Sequence, residues 1–331
     1  MFFLSDKWNK YVKMKTNTII WMSNYNLKRR IMSNLEIGKR IRTLRTEKGL
    51  SREAFCGDEK HLTVRQLARI ETGNNLPSLA KLDYIAEVLG VPMSQLIDEQ
   101  LLIAPKEYLK LKAKLIRQSI HGDEEKIHQR EDIFEDIQER FYDQLPEDEQ
   151  VAVEVLQAID DVYVSENAEF GEGLIEEYFN QTLLQTKYSV NDLLILYLYF
   201  LSSAISFKRH DEIFKKVRNN IVTIIDCSDH TYMHLLQRVL IAILLYQLRN
   251  EYYEDISVIF SFLREIMMEI QDSNLKPTVD YLEAKYYLYG EKDKEKALQY
   301  YEKAINGAEF FNDMNFKNRV IEERKEEFPE L

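Results

Sequence analysis

Thr63, Arg65, Gln66 and Arg69 fall within one short stretch, Thr63-Val64-Arg65-Gln66-Leu67-Ala68-Arg69-Ile70. Thr63 followed three residues later by Gln66 is a capping box, in which each side chain satisfies the other's backbone N–H at a helix N-terminus. Gly73 supplies the left-handed stop. Leu67 and Ile70 share the face that suits burial, while Val64, Arg65, Gln66 and Arg69 lie on or beside the others. Arg matches a guanine edge bidentately and Gln matches adenine, so such a helix can read a major groove. A plain amphipathic helix with a solvated charged face has the same pattern, so the flanking elements decide.

Those elements predict a compact five-helix unit. Ile37, Ile41 and Leu44 make an apolar stripe over Leu35–Lys48, closed by Gly49. Ser51 caps a short helix, Arg52–Cys56, and a turn leads into the helix after Thr63. Pro77-Ser78 opens a fourth helix with Leu79, Leu82, Ile85, Ala86 and Leu89 on one side, and Pro92 opens a fifth. A capped second helix in this setting is a helix–turn–helix layout. Ser51 and Arg52, at the start of the preceding helix, would meet phosphate through hydroxyl, N–H and guanidinium. Thr63 and Val64 lie close to the groove, and Arg65, Gln66 and Arg69 are the candidate base or phosphate readers.

The net charge of −12 is unevenly spread: residues 1–31 carry +6, residues 33–100 balance, and residues 101–331 carry −18. So acidic a body repels phosphate, which leaves nucleic-acid contact to local clusters in the first hundred residues. Residues 1–32 form an extension, read as a start placed upstream of Met32 or as a basic arm with Lys28-Arg29-Arg30 nearest the DNA domain. Cys56 and Cys227 are far apart and outside any C-x-x-C, which suits reduced thiols in a cytoplasmic protein. The most apolar run, Leu193–Leu201, is shorter than the roughly 20 residues of a membrane span. Of the six histidines, His230 and His234 are spaced i, i+4 without the Glu of H-E-x-x-H, and neither a phosphate loop nor a nucleophile motif occurs. An enzyme, a cofactor and a bound metal are therefore not expected.

From Pro105 onward the chain reads as consecutive helices: Lys106–Gln118, Glu124–Leu145, Glu147–Ser165, Glu172–Thr186, Asn191–Phe207, Asp211–Ile225, Thr231–Arg249, Tyr252–Gln271, Pro277–Tyr289, Lys294–Phe310 and Asp313–Glu326. Short connections make neighbours antiparallel. Ala284-x-x-x-Leu288-x-Gly290, then Ala297, Tyr301 and Ala304, has the small/large spacing of a tetratricopeptide helix pair. The expectation is an all-α chain: a helix–turn–helix DNA-binding domain over 33–100, then a degenerate tetratricopeptide-like solenoid over 101–331 for peptide binding and dimerisation.

With Ser51-Arg52-Glu53 before it and Asn75-Leu76-Pro77-Ser78-Leu79-x-Lys81-Leu82-x-Tyr84-Ile85-Ala86 after it, the opening stretch resembles the lambda-repressor-like domain of the Rgg regulators. Within that family it looks most like the ComR branch of peptide-sensing competence activators. The likeness continues through Leu145-Pro146-Glu147, Ser189-x-Asn191-Asp192-Leu193-Leu194 and Lys276-Pro277 to Ala284-Lys285-Tyr286. It implies a cytoplasmic transcription factor, switched by a short hydrophobic peptide pheromone and dimeric on double-stranded inverted-repeat DNA. It also implies an off-state in which the reading helix is docked through a charge pair falling on Arg65 and Glu147. It places Arg130, Gln237 and Arg238 near the peptide, with Arg130 suited to a terminal carboxylate and Arg238 where the family tends to carry Asn. Tyr197, Leu198, Leu201 and Tyr246 could line an apolar pocket or be simple core. A peptide-independent repressor or antitoxin-like DNA binder is the alternative.

Overall fold

The computed structural model describes residues 34–97, 103–118, 124–165, 167, 178–206, 211–222 and 229–329; the expectations for residues 1–32 and Cys227 lie outside these. The described residues are helical and include no strand. They form α1 (34–47), α2 (Arg52–Cys56), α3 (Val64–Glu71), α4 (Leu79–Leu89), α5 (Lys106–Arg117), α6 (Glu124–Arg140), α7 (Glu147–Ser165) and α8 (178–184). Then follow α9 (Val190–Ser206), α10 (Asp211–Val222), α11 (His230–Arg249), α12 (Ile256–Glu269), α13 (Lys276–Lys285), α14 (Lys294–Phe310) and α15 (Met314–Glu327).

Backbone contacts divide the chain into two compact units. One runs to Lys110 and includes Phe134–Val151; the other comprises Leu111–Ile133 and Ala152 onward. In the first, Ile37 and Ile41 of α1 pack with Leu67 and Ile70 of α3 and Leu82, Ile85 and Leu89 of α4. Gly38 explains how closely α1 approaches α3, since a Cβ there would lie 2.2 Å from the Ile70 carbonyl oxygen. Ser78 caps α4 by accepting the Lys81 N–H, and Gly90 ends it at φ 62°. The expected fifth helix is only a single 3₁₀ turn, Met93–Gln95.

In the second unit, α9 and α11 are buried almost all round, as the central helices of a larger core must be. By length and hydropathy α11 matches a membrane span, but 72% of its apolar window is buried inside the protein, which makes it a core helix. The tetratricopeptide spacing is realised in α13 and α14, where Ala284, Ala297, Ala304 and Ala308 are buried around Tyr301. The helix predicted from Tyr252 begins only at Ile256, after Asp255 has taken a left-handed conformation at φ 55°.

Candidate nucleic-acid interface and peptide pocket

The capping box forms as expected. Thr63 Oγ1 accepts the Gln66 N–H at 3.1 Å and Gln66 Oε1 accepts the Thr63 N–H at 3.1 Å. This excludes Gln66 as a base reader in this conformation, because its side-chain carbonyl is used and the residue is 0% exposed. Ser51 likewise spends its Oγ on the Ala54 N–H. Arg65 is exposed on α3, and Thr63 and Val64 are half-buried beside it.

Arg52, proposed for phosphate, donates from Nε to Glu71 Oε2 at 2.9 Å. Glu71 also receives Arg45 through Nε at 2.6 Å and Nη2 at 3.1 Å, while Arg45 Nη1 donates to the Leu50 carbonyl. Two guanidiniums on one fully buried carboxylate fasten α1 and the start of α2 to the end of α3. Arg45 and Glu71 were not among the sequence candidates, since no local spacing pairs α1 with the end of α3.

Glu147 forms the second charged centre of this unit. It is 1% exposed, and its backbone N–H donates to the Leu76 carbonyl at 3.0 Å. Lys81 Nζ donates to its Oε2 at 2.9 Å, and Arg69 Nη1 lies 3.7 Å from Oε1, which has no hydrogen-bond partner. Arg69 and Lys81 are thus cations in reach of Glu147. Lys81 was legible only as part of the Ser78-capped helix start.

The second unit contains a cavity with mainly apolar walls, among them Leu156, Ile159, Leu194, Leu235 and Ile241. Tyr197 lines it with its hydroxyl 2.9 Å from that of Tyr163. Arg130 and Arg238 also line it. Arg130 does not offer the charge expected of it: Nε and Nη2 bind Asp160 at 2.6 and 2.7 Å, and Nη1 donates to the Leu115 carbonyl at 2.6 Å. Burial raises the Asp160 carboxyl above its ordinary value, with Arg130 opposing that rise. Arg238 donates to the Ile116 and Arg117 carbonyls at the end of α5, hydrogen-bonds the Tyr197 side chain and interacts with the Asp160 carboxylate. Leu198, Leu201 and Tyr246 are core rather than lining, and Tyr246 packs on Phe214 and Phe200. Gln237 lines an adjoining cavity. Among the described residues no group of three or more His, Cys, Asp or Glu is placed to hold a metal.

A helix–turn–helix unit followed by a tetratricopeptide-like helical domain is the architecture of a DNA-binding regulator. Residues 36–99 match the helix-turn-helix domain family and residues 105–324 match the ComR tetratricopeptide family. The chain is 34% identical to the apo form of the competence regulator ComR from Streptococcus vestibularis, covering 89% of this chain and 99% of that one with a TM-score of 0.81. It is 30% identical to ComR from S. thermophilus, solved in complex with DNA and its signalling peptide ComS, covering 88% and 99% with a TM-score of 0.61. PlcR of Bacillus thuringiensis, at 14% identity and a TM-score of 0.51 over 87% and 99%, shares the fold. No curated protein sequence matches the chain significantly. The protein belongs to the ComR family.

Proposed function

We propose that this protein is a cytoplasmic, peptide-responsive transcriptional activator of competence genes. A short hydrophobic peptide enters the cavity of the 101–331 domain, Glu147 releases the reading helix, and two copies bind an inverted-repeat promoter. Arg65 and Arg69 read bases, while Ser51, Arg52, Thr63 and Val64 position the phosphates. The reading rests chiefly on the pairing of Arg69 and Lys81 with the buried Glu147. A guanidinium directed at a carboxylate cannot present the same donors to guanine O6 and N7. It is supported by the S. thermophilus relative, whose structure contains DNA and a signalling peptide.

The test is a mobility shift with inverted-repeat DNA, with and without a pool of short hydrophobic peptides. A peptide-dependent shift is expected. Equal binding without peptide would replace this reading with a constitutive repressor, and no binding under either condition would remove DNA recognition altogether.

A further inference from the structure

The turn between α2 and α3 sends a carboxylate to the start of the helix proposed to read DNA. Glu59 is exposed, and its Oε1 accepts the Val64 backbone N–H at 3.1 Å. Val64 is the first residue of α3, and the Thr63 and Gln66 N–H groups beside it are taken by the capping box. The neighbouring helices, α2 and α4, are capped by the neutral hydroxyls of Ser51 and Ser78. The start of α3 has the Thr63 hydroxyl and a full negative charge in addition, although its own first turn contains no acidic residue.

The turn itself does not call for glutamate. Glu59 stands in a left-handed conformation at φ 58°, with its N–H donating to the Cys56 carbonyl at 3.0 Å. Glycine suits such a backbone better, so what glutamate adds is the bond to α3 and the charge. That charge sits where DNA approaches. In helix–turn–helix docking the first residues of the reading helix meet the base edges, between flanking phosphates. Free N–H groups at a helix start attract a phosphate, and phosphate contacts carry no sequence information. A carboxylate there occupies the Val64 N–H and repels the sugar–phosphate chain, while Arg65 and Arg69 still gain from matching bases. The balanced charge over residues 33–100 supplies no excess of cations to offset it.

We propose that Glu59 is a specificity-determining residue, which weakens binding to duplex DNA of any sequence and so widens the margin by which base contacts select the operator. Specificity is a difference of affinities, and repulsion at the wrong site raises it as an added contact at the right one does. The role of Glu59 rests on α3 being the reading helix.

The experiment compares the full-length protein with Glu59→Gln and Glu59→Gly, each with the pool of short hydrophobic peptides present. Fluorescence anisotropy on a random-sequence duplex is followed by selection from a duplex pool of randomised inverted repeats. Glutamine can still accept the Val64 N–H, so it removes the charge and spares the cap, whereas glycine removes both. At low salt both variants should bind the random duplex about threefold to sixfold more tightly, the effect of one unit charge about 4–6 Å from a phosphate in water. That gain should shrink as added salt screens the charge, and enrichment of the selected sequence should fall by a similar factor. A cap with only a structural role would leave Glu59→Gln like the wild type and make Glu59→Gly weaker on every duplex, which would overturn the proposal. So would a loss of enrichment confined to one base pair, which would make Glu59 a base reader. Binding to no duplex by any of the three proteins would instead overturn the assignment of α3, and the role of Glu59 with it.

Discussion

Two buried carboxylates of the first unit each face two cations, and they are built for different purposes. Glu71 takes three hydrogen bonds, two from Arg45 and one from Arg52, and is wholly enclosed. Glu147 takes one side-chain hydrogen bond, from Lys81, and leaves Oε1 with Arg69 only at 3.7 Å. In a low-dielectric setting the first arrangement compensates the cost of desolvating the charges, whereas the second does so only in part. A fully satisfied pair holds a fold together. A partly satisfied one can be exchanged for another partner at little net cost, which is the property a releasable contact requires. Glu71 was invisible in the sequence and Glu147 was named only through the resemblance, yet their hydrogen-bond counts separate a fastening from a contact that can be exchanged.

Removing each carboxylate is the most direct way to break this comparison. Glu71→Ala leaves Arg45 buried without its counter-charge and should cost about 3–5 kcal/mol of stability in a urea titration. Glu147→Ala should cost less than half of that; an equal loss would erase the distinction. The next effect concerns DNA. Arg65→Ala should lose about 1–3 kcal/mol of binding at one base position, while Arg52→Ala should weaken all sequences alike, the outcome proposed for a guanidinium that contacts phosphate while held by Glu71. Binding isotherms at several salt concentrations separate these outcomes, and loss of base selectivity from both variants would refute the division.

A smaller effect sharpens the meaning of the exchangeable contact. Glu147→Gln should raise peptide-independent DNA binding by roughly threefold to fivefold, since a buried carboxylate that is only partly paired gains little net stabilisation from its cations. No change in the mobility shift would mean that Arg69 is not restrained by Glu147.

The smallest effect lies at a third pair, His234 with Asp272. Here burial lowers the imidazole below its ordinary value, although Asp272 opposes this. The folded protein therefore resists protonation more than the unfolded chain does. Its stability contribution is intact above the usual histidine range and is lost as pH falls below that range. His234→Gln should accordingly narrow the drop in melting temperature between neutral and mildly acidic pH. An unchanged pH profile would contradict the assigned direction.

Local signals were legible where the physics is local. Thr63 and Gln66 satisfy one another across three residues, Ser78 caps α4, and Ala284, Ala297 and Ala304 pack a helix pair, all as their spacing requires. The same locality explains a misreading: Gln66 could not be both half of a capping box and a free reader of adenine. Arg130 was legible as a cation, but its neutralisation by Asp160 depends on a residue thirty positions away in a different helix. Likewise, apolar residues at helical spacing do not show which of them line a cavity, and only Tyr197 of the four proposed does so.

The sequence by itself determined the helices, their caps and the order of a DNA-reading unit before a helical-repeat domain, because hydrophobic period and capping act over a few residues. Tertiary structure alone decided that Glu147 faces Arg69 and Lys81, that Arg130 is paired with Asp160, and that Arg238 bonds to the carbonyls at the end of α5. Those outcomes depend on which side chains meet after distant helices pack and water is excluded, and charge strength inside a protein is set by that meeting.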